Sequence, residues 1–201
     1  MTATILGIGL FFVAYFWVMR HPRFEPSIVP ASWLDHAIGF EPAALPVYFS
    51  LWLYVSLAPA LLKDLRELAR FGIASVFLSL SGLAIFMLWP TKVPEFGDDW
   101  TQHPSIRFLK TVDVAGNACP SMHVAFAVFA AIWLRSVLIQ IGAPATLRWL
   151  NGLWCLGIVW STIATRQHVV YDVCAGAALG IVFTLPQWRA LWLPAESHIG
   201  R

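Results

Sequence analysis

Residues 119–128 read CPSMHVAFAV, and in this stretch a histidine follows a Pro-Ser pair and opens a long apolar run. Ser121 is a favoured N-cap residue, so the pattern predicts a helix that begins at about residue 122 and carries His123 in its first turn. The apolar run continues for about 20 residues, the length needed to cross the hydrocarbon core of a bilayer. The stretch therefore predicts a membrane-spanning helix with a histidine at its start.

The whole chain has the composition of a multi-pass membrane protein. Of its 201 residues, 59% are hydrophobic and 12% are charged, whereas soluble domains carry about 25% charged residues. Many of the 11 tryptophans lie near the ends of apolar runs, as in the aromatic belts of membrane proteins. A net charge of +2 without a basic tract argues against nucleic acid as a partner. The three cysteines include no paired motif, so neither a disulfide framework nor a metal site is predicted.

The apolar runs predict an all-α fold, a polytopic membrane protein with a bundle of six transmembrane helices in a single domain over residues 1–201. The six helices are expected at residues 2–19, 45–62, 71–89, 122–141, 149–165 and 171–191. We interpret the first as a retained span, because it lacks the charged start and the cleavage pattern of a signal peptide.

The order of the predicted helices has a consequence for the polar residues between them. Lys and Arg are slightly enriched on the side of the two short connectors, 63–70 and 142–148, which predicts that this side is cytoplasmic. His123, Lys92, Arg166 and His168 would then all lie on the opposite, outer side. We expect a bacterial inner-membrane protein whose site faces the periplasm.

A second motif, TRQHVVYDV at residues 165–173, supplies another histidine and a carboxylate. His168 and Asp172 are four residues apart, so they lie on one face if a helix begins near His168. A carboxylate bonded to one imidazole nitrogen makes the other nitrogen a better nucleophile. Because an unpaired charge is costly at the start of a span, we expect Asp172 to pair with His168 or Arg166. Arg166 has the planar cation that suits phosphate oxygens.

Together the two motifs suit phosphoryl transfer through a phosphohistidine. His168 would attack phosphorus, and His123 would protonate the departing oxygen. Positive groups would stabilise the equatorial oxygens of the transferred phosphoryl group. Phosphate contacts are predicted for Arg166, Lys92 and Ser121, although we expect Ser121 to be a helix cap rather than a catalytic group.

At these residues the chain resembles the type-2 phosphatidic acid phosphatase superfamily. PSMH (120–123) and HVVYD (168–172) are similar to its signatures Pro-Ser-Gly-His and Ser-Arg-x5-His-x3-Asp. Their spelling looks closest to a membrane branch that includes inositol phosphorylceramide synthases and sphingomyelin synthases. The resemblance implies that His168 is the nucleophile, Asp172 its orienting acid and His123 the general acid. It also implies a lipid phosphate substrate within the membrane and no metal or other cofactor.

The chain departs from these signatures at three places. Met122 replaces glycine, and Thr162 stands where the third signature has arginine, a charge that Arg166 could supply. The first signature, Lys-x6-Arg-Pro, is incomplete: Lys92 and Pro94 are present, with Glu95 after them. The reduced positive charge indicates either a phosphodiester substrate or a phosphate site completed by basic residues of the loop, such as Arg107 or Lys110.

Three alternatives remain open from the residues. If a lipid or polyol hydroxyl resolves the phosphohistidine, the enzyme is a head-group transferase of the sphingolipid-synthase type, and if water does, it is a lipid phosphatase. A non-catalytic haem protein with His123 and His168 as axial ligands is another class, and it would give a Soret band. An intramembrane hydrolase based on Ser121 is disfavoured, because no Gly-x-Ser-x-Gly elbow is present.

Overall fold

The computed structural model describes residues 2–112 and 117–185, and these are mostly helical. Each predicted apolar run contains a helix or a pair of short helices. The predicted end of the last helix, at residue 191, lies outside the described residues. The bounds are α1 Thr2–Arg20, α3 Leu45–Phe49 with α4 Leu51–Leu61, α5 Leu65–Leu88, α7 Met122–Gln140, α8 Ala145–Ala164 and α9 Val170–Val182.

Three helical stretches among the described residues are long and apolar enough to cross a bilayer. These are Pro42–Leu61, Leu65–Leu88 and Met122–Gln140. The stretches Gly9–Arg20 and Val170–Val182 are apolar but shorter. The helices thus fit a membrane protein, and the count of six spans stays a prediction.

Two helices begin earlier than predicted. Helix α5 starts at Leu65 rather than residue 71, because the Asp64 side chain accepts a hydrogen bond from Arg66 N at 3.0 Å and caps the helix. Helix α8 starts at Ala145 rather than residue 149, directly after Pro144. Most of the two connectors that we predicted to be short is therefore helix.

The long connectors contain local structure of their own. The first holds α2 (Trp33–Ile38), which begins with a capping box between Ser32 and Asp35, and the second holds α6 (Pro104–Val112). The strands β1 (Ser27–Ile28) and β2 (Thr91–Lys92) pair in parallel, so the all-α prediction misses a small two-stranded sheet. Asn117 forms a bridge with Thr91, and these pairings bring both connectors over the same end of the helices.

Helix α7 is the centre of the bundle, and it packs against α4, α8 and α9. Gly176 of α9 lies against the carbonyl oxygen of Ser121, the N-cap of α7, and Gly180 lies against the carbonyl oxygen of Ala125 within α7. A Cβ at either glycine would be closer to that oxygen than any ordinary contact allows. These two glycines therefore allow α9 to pack closely against α7. This close approach holds the motif at the start of α7 next to the motif at the start of α9.

Candidate active site

The turn between α8 and α9 positions His168. After α8 ends, Arg166 adopts a left-handed conformation with φ of 56°, and the backbone N–H groups of Gln167 and His168 both donate to Thr162 O, at 3.0 and 3.1 Å. The chain is thereby reversed within a few residues. His168 is 5% exposed, which places its ring inside the protein at the end of the bundle.

Asp172 lies behind His168, as the four-residue spacing predicts. His168 Nδ1 is 3.4 Å from Asp172 Oδ2, and the carboxylate is fully buried. Asp172 Oδ2 also accepts a hydrogen bond from Val169 N at 3.1 Å. Of the two partners expected for Asp172, His168 is the one in contact. Nδ1 makes no hydrogen bond at this distance, so Asp172 acts on the ring as a close buried carboxylate.

The second histidine stands next to the first. The ring centroids of His123 and His168 are 5.7 Å apart. Ser121 joins the two motifs, because Ser121 N donates to Asp172 O at 3.0 Å while its Oγ accepts from Val124 N at 3.2 Å. Ser121 is fully buried and caps α7. Its hydroxyl oxygen thus serves the helix end, and a phosphate contact from its O–H stays a prediction.

Arg166 holds the connectors over the site. Its Nε donates to Asp98 Oδ2 at 2.8 Å, its Nη1 donates to Asp35 O at 2.7 Å, and its guanidinium lies 4.0 Å from the ring centre of Phe96. Asp35 Oδ1 in turn accepts from Val170 N, at the start of α9. Arg166 thus pairs with Asp98 rather than with Asp172, and it fastens two loops to the turn that carries His168.

A cavity of about 800 Å³ opens beside His168; we call it the polar cavity because charged side chains border it, although apolar atoms make up most of its wall. Lys92, Arg166 and His168, all predicted as site residues, border it together. Lys110 and Asn117 add a cation and an amide, while Glu95 and Asp98 add carboxylates, so the charge of the wall is mixed. Asp172 and Ser121 lie buried behind this wall. Arg107, the other loop cation considered, does not border the cavity.

A second, apolar cavity of about 250 Å³ adjoins His123. Its walls are largely aromatic and come from α1, α3, α4, α6 and α7, and Tyr15 borders both cavities. His168 therefore borders the polar cavity, and His123 borders the apolar cavity. This arrangement suits a substrate with a polar phosphate end and an apolar end.

A model of the PAP2 superfamily matches residues 68–194, which is more than half of the chain. The chain belongs to the PAP2 superfamily. Membership indicates phosphatase or phosphotransferase activity on a phosphate-containing substrate. No curated protein and no solved structure matches the chain.

The PAP2 match includes His123, His168 and Asp172 but leaves out the first third of the chain. From that part come Asp35 and Tyr48, two residues that sequence reasoning missed. Tyr48 Oη lies 2.7 Å from His123 Nε2. Neither residue stands in a motif, and the capping box at Ser32 is the one local signal that marks Asp35 as an ordered residue.

The largest departure from the PAP2 signatures is accommodated by a neighbouring helix. Met122, which replaces the signature glycine, is 5% exposed and packs its thioether against Gly82 of α5. A side chain at residue 82 would collide with Met122. The larger residue is therefore accommodated against α5, and it borders the apolar cavity together with His123.

Proposed function

We propose that this PAP2 protein is an integral membrane lipid-phosphate phosphatase or phosphotransferase that works through a phosphohistidine on His168. The observation that carries the proposal is the pair of imidazoles with ring centroids 5.7 Å apart, one backed by a buried carboxylate, beside a cavity with Lys92 at its wall. This set of groups supplies a nucleophile, a proton donor and a positive charge, which are the parts that phosphoryl transfer needs.

The reaction would proceed in two balanced steps. In the first, His168 Nε2 forms a bond to phosphorus as the bond to the leaving oxygen breaks, and His123 gives that oxygen a proton. Asp172 stabilises the imidazolium character that develops on His168. In the second, His123 takes a proton from water or from an acceptor hydroxyl, whose oxygen attacks phosphorus and releases His168.

The phosphate group would bind to the cationic side chains that border the polar cavity. Lys92 would contact the phosphoryl oxygens directly, and Lys110 would add positive charge from α6. Arg166 borders the same space, but its paired Nε and Nη1 leave it a smaller share in phosphate binding than we predicted from the motif. Its greater contribution is to hold the wall of the cavity in place.

The size of the cavity bears on the choice between hydrolysis and transfer. At about 800 Å³ it is far larger than a phosphate group, and its wall carries both signs of charge. The cavity therefore has room for a polar head group or for an acceptor molecule. This favours a head-group transferase of the inositol phosphorylceramide or sphingomyelin synthase type. We place the site at the outer face of the membrane, where a bacterial enzyme would meet periplasmic acceptors.

The test is phosphate release by the detergent-purified protein in excess EDTA, with a panel of lipid phosphates and diphosphates. We expect release by the wild-type protein and loss of release in His168→Ala. His21→Ala is the matched control, because His21 is exposed, directly follows α1 and borders neither cavity. Release that persists in His168→Ala would refute the phosphohistidine mechanism.

The same assay separates the two outcomes within the proposal. With a labelled phosphodiester lipid and an added polyol or long-chain alcohol, a transferase moves the labelled head group to the acceptor and releases little free phosphate. A phosphatase releases phosphate whether or not an acceptor is present. The enzyme should also show a bell-shaped pH profile, because His168 must be neutral and His123 protonated, and a flat profile from about pH 5 to 9 would contradict these roles.

A further inference from the structure

Tyr48 is a buried tyrosine that contacts the site from outside the region matched by the family. It belongs to α3 and is 1% exposed, and its ring centroid lies 4.7 Å from that of His123. Its hydroxyl and His123 Nε2 are 2.7 Å apart, a short hydrogen bond between residues 75 positions apart in sequence. Such a bond fixes both the rotation of the imidazole and one of its two nitrogens.

Helix α3 is itself held firmly in place. Glu41 N, just before it, donates to Ala164 O at 2.8 Å, and Trp154 Nε1 donates to Ser50 Oγ at 3.1 Å. Both contacts tie this segment to α8, and the Tyr48 side chain packs in an apolar cluster with Ile106 and Leu109 of α6. The hydroxyl is therefore presented to His123 by a rigid surface rather than by a mobile loop.

We infer that Tyr48 is a positioning residue that orients His123 for proton transfer, acting through Nε2 so that Nδ1 exchanges the proton with the substrate. The inference rests on the proposed function, in which His123 is the general acid. It assigns the reaction a residue from α3, an element that no signature motif includes.

The proton balance explains why the bond at Nε2 matters. In the first step the protonated ring donates Nε2–H to Tyr48 Oη and gives its Nδ1 proton to the leaving oxygen. The neutral ring that remains keeps its hydrogen on Nε2, so the lone pair on Nδ1 can accept the proton of water or of an acceptor hydroxyl in the second step. Without the tyrosine oxygen, the other tautomer competes, and a ring with its hydrogen on Nδ1 cannot accept that proton.

The test compares Tyr48→Phe with Tyr54→Phe on two substrates that differ in their leaving group. Tyr54 is the matched control, a buried tyrosine on α4 whose hydroxyl donates to Asn151 rather than to a histidine. One substrate is a long-chain alkyl phosphate, which needs a general acid. The other is a nitrophenyl phosphate with the same chain, whose acidic phenol leaves without one.

We expect Tyr48→Phe to lower kcat for the alkyl phosphate by about 10- to 100-fold, the worth of a hydrogen bond to a charged group. The value of KM should change little, and the alkaline limb of the pH profile should move to lower pH. The nitrophenyl substrate should lose less than about threefold in the first step, measured as the burst of nitrophenol. Adding His123→Ala to Tyr48→Phe should cost no more than His123→Ala alone.

Two results would overturn the inference. One is a Tyr48→Phe enzyme with wild-type kcat and pH profile. The other is an equal loss on both substrates that Tyr54→Phe reproduces, which would mark a structural role. Failure of the proposed function would look different, because the wild-type protein would then release phosphate from neither substrate.

Discussion

Replacing Gly176 with alanine should separate the two halves of the candidate site. A Cβ at this residue would lie under 3.0 Å from the carbonyl oxygen of Ser121, whereas ordinary contacts begin at 3.4 Å. Backbone cannot move aside as a flexible side chain does, so α9 has to shift from α7 by at least 0.4 Å. Ser121 is two residues from His123, and Gly176 is four residues from Asp172, the partner of His168. The shift would therefore change the distance between the two histidines.

The magnitude follows from packing and from the precision that catalysis demands. Overpacking a close contact costs about 1–3 kcal/mol, and a misplacement of about 1 Å can cost 100-fold in rate. We therefore expect Gly176→Ala to lower kcat/KM by about tenfold and to lower thermal stability. The measurements are phosphate release and the midpoint of thermal unfolding in detergent.

Gly152→Ala is the control for this prediction. Gly152 also lies within a helix, α8, but a Cβ there meets nothing within 4 Å. It therefore receives the same gain in helix propensity, about 1 kcal/mol, without the collision. If Gly176→Ala and Gly152→Ala gave equal activity and equal melting temperatures, the close packing of α7 and α9 would not control the site.

Three further predictions concern the contacts of Arg166, the reactivity of the Cys119 thiol and the buried side chain of Asn151. Arg166→Lys should lower kcat/KM by more than about tenfold, because one ammonium group cannot replace the forked guanidinium that contacts Asp98 and a backbone carbonyl. Activity near that of the wild type would show that these contacts do not hold the site in place. Burial, with a contribution from a neighbouring carboxylate, raises the pKa of the Cys119 thiol to about 11, so this thiol stays protonated and unreactive below about pH 9. Peptide mass spectrometry after iodoacetamide treatment should find Cys119 unlabelled at about pH 7 and labelled increasingly above about pH 9, and ready labelling at neutral pH would contradict the prediction. Asn151→Ala should destabilise the protein by about 1–3 kcal/mol in detergent unfolding, because the buried Tyr54 hydroxyl loses the shorter of its two hydrogen bonds and a carbonyl of α7 loses its side-chain donor; an unchanged midpoint would count against these contacts.

The helices could be predicted from the sequence because apolar length is a local property. The start of α7 was placed at residue 122 from the Ser121 cap, and the structure begins it at Met122. The start of α5 was missed by six residues, because Arg66, Glu67 and Arg70 hide a helix that continues beyond its apolar part. The two-stranded sheet was missed because strands of two residues carry no periodic signal.

The chemistry of the site divides in the same way. Residues close in sequence, such as His168 and Asp172, could be paired from the helical repeat alone, and they lie together as expected. Arg166 was the other partner considered for Asp172, because an unpaired charge is costly there, but its left-handed backbone turns it toward Asp98, 68 positions away. A turn geometry of this kind depends on what packs around it, so a spacing rule for regular helices does not describe it.

The sequence by itself determined that this protein is a membrane protein and which histidines and carboxylate to examine, because composition, apolar length and four-residue spacing are properties of the chain alone. The tertiary structure decided that Tyr48 contacts His123, that Arg166 fastens two loops to the turn that carries His168, and that a polar and an apolar cavity adjoin the two histidines. Those features are contacts between distant segments, and their geometry is set by how closely α7, α8 and α9 pack and by where the connectors cross the end of the bundle.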